Sequence, residues 1–189
     1  YLVETISKAL SLKSLGLFLA REDRPDEFYL LRAAGEPYLA LPVVQLSPAE
    51  SQELQKTEFI SFLPGTETLA PAGIFTSLKD KGFNNFLPLK LENRIIGFLA
   101  LGDKIDGSFL SGEDRELLRT ISPSVTLALE NAYLYNQEII RSQELQRLKD
   151  YSDNIIESLT VGVAVIDESG LVTGWNRVLE QQFGLSRAQ

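Results

Sequence analysis

The sequence predicts an α+β fold: an antiparallel sheet flanked by helices, a long C-terminal helix, then a truncated strand-strand-helix segment. Three observations carry this. Apolar runs of strand length come in pairs joined by short polar turns, at 14–35 and at 83–102. From 111 onward apolar residues recur at steps of four and three. Past Leu159 the period reverts to short strand-like runs.

Each element has a local cause. LVETISKALSL (2–12) spaces Leu2, Ile6, Ala9 and Leu10 as a short amphipathic helix. SLGLFLA (14–20) and EFYLLRAAG (27–35) read as a hairpin around the polar, Pro-containing REDRPD turn. SPAESQELQKT (47–57) has Ser47 as N-cap, Pro48 at the first helical position and Glu50 three residues after the cap, a capping box. EFISFL is read as a strand and PGTETLAPAG as a loop, after which IFTSLKDKG forms a short helix stopped by Gly82.

FNNFLPLKL (83–91) and RIIGFLALG (94–102) make a second hairpin about ENR. Alternation puts Leu87, Leu89 and Leu91 on one face of the first strand, and Ile95, Leu99 and Leu101 on one face of the second. Pro88 suits an edge or a bulge.

The helix that starts after Ser111 bears the stripe Leu117, Ile121, Val125, Ala128, Ala132, Tyr135 and Ile139, an a/d heptad pattern. Its phase slips near Arg141 and Ser142 and resumes at Leu145, Leu148, Ser152, Ile155 and Leu159. A helix over 111–148 would be ~57 Å long at 1.5 Å per residue, too long for one small domain to cover. Its far half therefore calls for a partner, and a homodimer is expected. Pro123, inside it, predicts a kink. Beyond, VGVAVID, the turn ESG, LVTGWN and RVLEQQFG read as strand, turn, strand and helix, too little to enclose a core.

Composition removes whole classes of chemistry. Among 189 residues there is no Cys and no His, so thiolate metal sites, Cys nucleophiles, disulfides and imidazole acid-base or haem ligation are unavailable within this chain. A net charge of −8 argues against nucleic-acid binding. IIGFLAL and VGVAVI fall far short of the ~18 residues that a membrane span needs. No leader-like segment opens the chain, and with no Met Tyr1 is not a translation start. The expectation is a piece of a longer soluble, cytoplasmic protein.

Helix, two strands, helix, strand, helix, two strands, long helix is an order that resembles a GAF domain. The portion FLPLKLENRIIGFLALGDKIDGSFLSGEDRELLRTISPSVTLALENAYLY is similar to that family's C-terminal signature: a Pro-Leu strand, a small turn, an IxGxLxL strand, a loop with Phe109 before an acidic pair, and a helix carrying Glu-Asn-Ala. The likeness covers residues 1 to about 137. NIIESLTVGVAVIDESGLVTGWNRVLEQQFGLSR resembles the start of a PAS domain, with Gly162, Asp167, Gly170 and Asn176 where that family has such residues. The domains implied are a GAF-like sensor at 1–137, a coiled-coil signalling helix at 138–152 and the N-terminal part of a PAS-like domain at 153–189.

Whether DKIDGSFLSGEDRELL binds anything decides between chemistry and connection. Glu113, Asp114 and Glu116 at a helix start repel phosphate. Asp103, Asp106 and Gly107 lack the alternate spacing of a calcium loop. Ser111 with Asp114 instead makes a capping box, and the acids suit the positive end of the helix dipole. Cyclic-nucleotide GAF domains are similar here, carrying an Asn-Lys pair, Phe and an acidic pair. This chain has Asp103-Lys104, Phe109 and Glu113-Asp114, so the Asn is missing and the acidic order is reversed.

The resemblance also implies a ligand pocket between the sheet and 58–82, lined by Phe59, Phe62, Thr66, Thr68, Ile74, Phe75 and Leu78. That lining suits a small, mostly apolar ligand. The same side chains could fill an ordinary core, and no cofactor is assigned. Asn176 is expected to cap the helix RVLEQQ. A non-catalytic sensory and dimerisation region follows, of the architecture typical of sensor histidine kinases. The alternatives are a structural dimerisation module without ligand, or the sensor region of a cyclase or transcription activator.

Overall fold

The computed structural model describes residues 2–35, 42–62, 73–92 and 94–184. Chain order is α1 (Leu2–Ala9), β1 (Ser14–Ala20), β2 (Glu27–Gly35), β3 (Val43–Gln45), α2 (Pro48–Lys56), β4 (Ile60–Ser61), α3 (Ile74–Lys79), β5 (Asn85–Leu91), β6 (Arg94–Leu101), α4 (Gly112–Ser158), β7 (Ala164–Ile166), β8 (Val172–Trp175) and α5 (Arg177–Phe183). Two compact units result, Tyr1–Asn131 and Ala132–Gln189.

The first unit is built on a six-stranded antiparallel sheet in the order β3-β2-β1-β6-β5-β4. Both predicted hairpins form. They are joined by β1 pairing with β6, Leu15 opposite Leu101 through Leu19 opposite Gly97. Gly97 permits this approach, because a Cβ there would lie 2.3 Å from the Phe18 carbonyl oxygen. β3 was not expected. Its three residues are too few to show alternation, and Val44 is buried while Val43 is exposed only because the strand borders β2.

The sheet is apolar on both faces. On one, Leu15, Leu17, Leu87, Leu89, Leu99 and Leu101 meet Val3 and Ile6 of α1 and Leu118 and Val125 of α4. On the other, Phe18, Phe28, Phe86 and Phe98 meet Leu54 of α2 and Phe75 and Leu78 of α3. One facing expectation is corrected here. Ile95 packs on the phenylalanine face, away from Leu99 and Leu101, while Ile96 packs with the leucines. The β5–β6 register shifts between Leu89 and Lys90, Leu89 opposing Gly97 and Lys90 opposing Ile95. The extra residue is a β-bulge, which reverses every side chain beyond it.

The helix α4 runs through Pro123 to Ser158 as one element, across the phase slip near Arg141 and almost to Leu159, where the periodicity ends. In the second unit β7 and β8 form an antiparallel hairpin. Its turn is held by Asp167 Oδ1, which accepts from Ser169 N, Ser169 Oγ and Leu171 N, with Gly170 at φ 84°. α5 begins at the Asn176 cap, as expected, and ends at Gly184 in the left-handed region.

Candidate functional site

The sheet face under α2 and α3 is where a ligand was expected, and its described residues form an aromatic cluster. Phe18 and Phe98 stack at 4.8 Å, Phe75 and Phe86 lie 4.9 Å apart, and Phe28 and Phe98 5.3 Å apart. These stacked and tilted contacts add to simple burial. Phe75 and Leu78 are fully buried in this cluster, and Phe62 and Ile74 pack at its margin. Lys79 Nζ sits 5.3 Å from the Phe62 ring centre, a cation–π contact at that margin. Phe59 is not with them; it packs on the leucine face. Thr66 and Thr68 lie outside the described residues.

Glu50 ties the two helices over this face together. Its Oε2 accepts from Ser47 N at 2.8 Å and Ser47 Oγ at 2.7 Å, while Glu50 N donates back to Ser47 Oγ, which completes the capping box. The same buried carboxylate reaches α3 through Oε1, which accepts from Ile74 N at 2.6 Å. It thereby satisfies one amide at each of two helix starts. Gly73 makes room, since a Cβ there would lie 2.3 Å from Glu50 Oε1.

On the other side of the sheet Glu58, Leu87, Pro88, Lys90, Arg119, Ser122 and Pro123 line a groove of about 220 Å³. Lys90 Nζ donates to the carbonyls of Gln55 and Thr57 at 2.7 and 2.8 Å, capping the end of α2. Burial pushes its ammonium below the usual lysine range, against the opposing pull of Glu58. Arg119 Nε lies 3.7 Å from Glu58 Oε2. The groove thus holds two cations, Lys90 and Arg119, and one carboxylate, Glu58.

The loop between β6 and α4 is a latch. Asp103 accepts two hydrogen bonds from Asn84 Nδ2 at 2.9 Å, and Lys104 Nζ pairs with Asp114 Oδ2 at 2.6 Å. Ser111 and Asp114 exchange the reciprocal bonds of a capping box, as expected, at 2.8 and 3.1 Å. Burial raises the Asp114 carboxyl, but hydrogen bonds from Lys104 and Ser111 outweigh it and hold the group below its ordinary range. Phe109, the aromatic of the motif, stands exposed while Leu110 is buried. Among the described residues no three His, Cys, Asp or Glu side chains gather as a metal site, and no helix is long and apolar enough to cross a membrane.

The predicted dimer residues of α4 divide. Val125 is buried in the leucine cluster and Ile121 packs against it, whereas Ala128, Ala132, Tyr135 and Ile139 are exposed. Leu127, Leu134, Leu145, Leu148 and Ile155 are exposed as well. At the other end of the helix Asn176, fully buried, donates from Nδ2 to the carbonyls of Ile156 and Val161 at 3.1 and 2.8 Å and accepts at Oδ1 from Val163 N at 3.0 Å. One amide thus links the end of α4, the approach to β7 and the start of α5. Sequence reading found its capping role and missed the other three bonds, whose partners are separated by 13, 15 and 20 residues.

Comparison with known proteins places this geometry. Residues 2–131 match the GAF domain family and residues 151–189 the PAS fold. Similar solved structures include the GAF domain/HD domain protein from Geobacter sulfurreducens, 17% identical, covering 70% of this chain and 90% of that one with a TM-score of 0.53. The PixJ GAF domain of Thermosynechococcus elongatus, in its blue-light absorbing form, is 9% identical, with 75% and 90% covered and a TM-score of 0.52. A segment of a methyl-accepting chemotaxis protein is 16% identical, with 70% and 87% covered and a TM-score of 0.53. No curated protein matches the chain.

Proposed function

The chain belongs to the GAF domain family over residues 2–131, and on that premise we propose that it couples sensing to a downstream effector through a dimeric α4. GAF and PAS domains are sensory modules, so the general role is that of a signal-transduction sensor. The finer reading is a cytoplasmic regulatory region, without catalysis of its own, in a sensor histidine kinase. The observation that carries it is the unbroken helix between the two matched segments, which ends on the Asn176 hydrogen bonds of the PAS-like start. A shift in the pairing of two such helices is a two-state change that a ligand or partner can bias.

Light-absorbing GAF domains share the fold, but a chromophore held by a thioether has no Cys to attach to within this chain. A small, mostly apolar ligand under α2 and α3 is the reading we favour for the signal. The buried phenylalanine contacts among the described residues favour a second reading, a structural dimerisation module without ligand. Native mass spectrometry of the freshly purified chain separates them. A dimer with a discrete extra mass supports the sensor; a bare dimer whose melting no metabolite shifts supports the module; a monomer at tens of micromolar overturns the helix account in both.

A further inference from the structure

We propose that residues 127–155 of α4 pair with the same residues of a second copy as a parallel, in-register two-stranded coiled coil, with Leu127, Leu134, Leu148 and Ile155 at d and Asn131, Leu145 and Ser152 at a. This rests on the dimeric reading above and fixes the direction and register of the pair.

The stripe through Ile121 and Val125 is not free to serve. Leu118 and Val125 are buried and Ile121 and Leu129 pack against the same leucine cluster. Successive residues turn by about 100° on a helix, so the side opposite these four bears Leu127 and Leu134, with Asn131 beside them. The two leucines are each 55% exposed. Continued from Leu127, the four-three step meets Asn131, Leu134, Glu138, Arg141, Leu145, Leu148, Ser152 and Ile155 in turn. The phase slip near Arg141 vanishes: the inward stripe belongs to one set of contacts and the outward stripe to another. Leu145, Leu148 and Ile155 are 68%, 61% and 43% exposed, more than a lone soluble helix needs to show.

Two features choose a second copy and set its direction. With Asn131 at a, Glu144 falls at g and Lys149, five residues on, at the facing e position of a parallel partner, so two opposite-charge pairs form by symmetry. In a parallel pair every apolar layer also meets itself, and Asn131 meets Asn131, the polar layer that fixes register. Glu138 and Arg141 occupy successive layers, where each carboxylate reaches the other copy's guanidinium. The antiparallel arrangement that opposes Glu138 to Arg141 would set Leu127 against Ser152, Ile155 against Ser124 and Leu148 against Asn131. It wastes three apolar layers.

The sequence has no Cys, so each single Cys substitution supplies the sole thiol. Leu134→Cys and Leu148→Cys should form disulfide-linked dimers roughly tenfold faster under mild oxidation than Ala132→Cys and Ile139→Cys, since only close Cα pairs can bridge. Light scattering on the parent chain runs beside this. A dimer in which Ala132→Cys and Ile139→Cys link fastest overturns the register and leaves the dimeric reading standing. Linking of Leu134→Cys only to Leu145→Cys in a mixture overturns the direction. A monomeric parent chain overturns both. All five positions are exposed, so folding is not at stake in the comparison.

Discussion

At the scale of single residues, a few polar side chains hold this chain's connections. Glu50 is the chief of them, one carboxylate serving α2 and α3. Glu50→Ala should cost about 1.5–3 kcal/mol, the usual worth of hydrogen bonds to a charged group, and Glu50→Gln less, since an amide oxygen can still accept from Ile74. Urea unfolding decides it; equal midpoints for Ala, Gln and parent would refute the two-helix role. Asp114 gives a pH signature. Its carboxyl takes up a proton at lower pH when folded than its ordinary value of 3.8, so its stabilisation is complete above that range and is lost as pH falls through the native value. Asp114→Asn should be less stable than the parent at neutral pH, and the gap should close as pH falls below 3.8 and through the lowered native value. A gap that does not narrow with falling pH would mean that lost packing, not the ion pair with Lys104, is the cause. The capping halves of these sites were legible because their partners lie three residues away. Ile74 for Glu50 and Lys104 for Asp114 were not, since no local spacing encodes a contact made across a loop.

At the scale of elements, α4 carries two apolar stripes with different owners. Val125→Asp should unfold or strongly destabilise the first unit, because it puts an unpaired charge into the leucine cluster. Leu134→Asp, on the outward stripe, should leave the circular dichroism unchanged and convert a dimer to a monomer. Light scattering paired with thermal melts reads both; a folded, monomeric Val125→Asp would reverse the assignment of the stripes. Periodicity alone located the helix and merged the two stripes into one with a slip, since a heptad count records spacing without saying which side meets the chain's own sheet. The bulge at Ile96 escaped for a related reason. Strict alternation is the default for a strand, and the register shift that breaks it arises from the fit of β6 against β5.

At the scale of the whole molecule, the first unit is a sheet with two unlike apolar faces: leucines under α1 and α4, phenylalanines under α2 and α3. Phe98 contacts Phe18, Phe28, Phe75 and Phe86. Phe98→Ala should therefore lose about 3–5 kcal/mol, with the cavity adding to the lost transfer energy. Calorimetry checks this, and a loss under about 1 kcal/mol would mean that the cluster rearranges easily, as a face that opens for a ligand would. Of the expected lining, Phe75 and Leu78 form the cluster's interior, Phe62 and Ile74 its edge, and Phe59 the opposite side of the sheet.

By itself the sequence determined the helices and every strand but β3, the caps at Ser47, Ser111 and Asn176, the chemistry that a chain without Cys or His cannot perform, and the family. These depend on residue type and on spacings of two to four along the chain, the range over which backbone geometry is local. Only the tertiary structure decided that β1 lies against β6, that Ile95 turns from the leucine face to the phenylalanine face, that Glu50 reaches α3, and that Val125 belongs to the core while Leu127 and Leu134 stand outward. Each of these is a choice among neighbours far apart in sequence. Close packing makes it: β1 lies against β6 with Gly97 at the crossing, where a Cβ would meet the Phe18 carbonyl, and both faces of the joined sheet are covered.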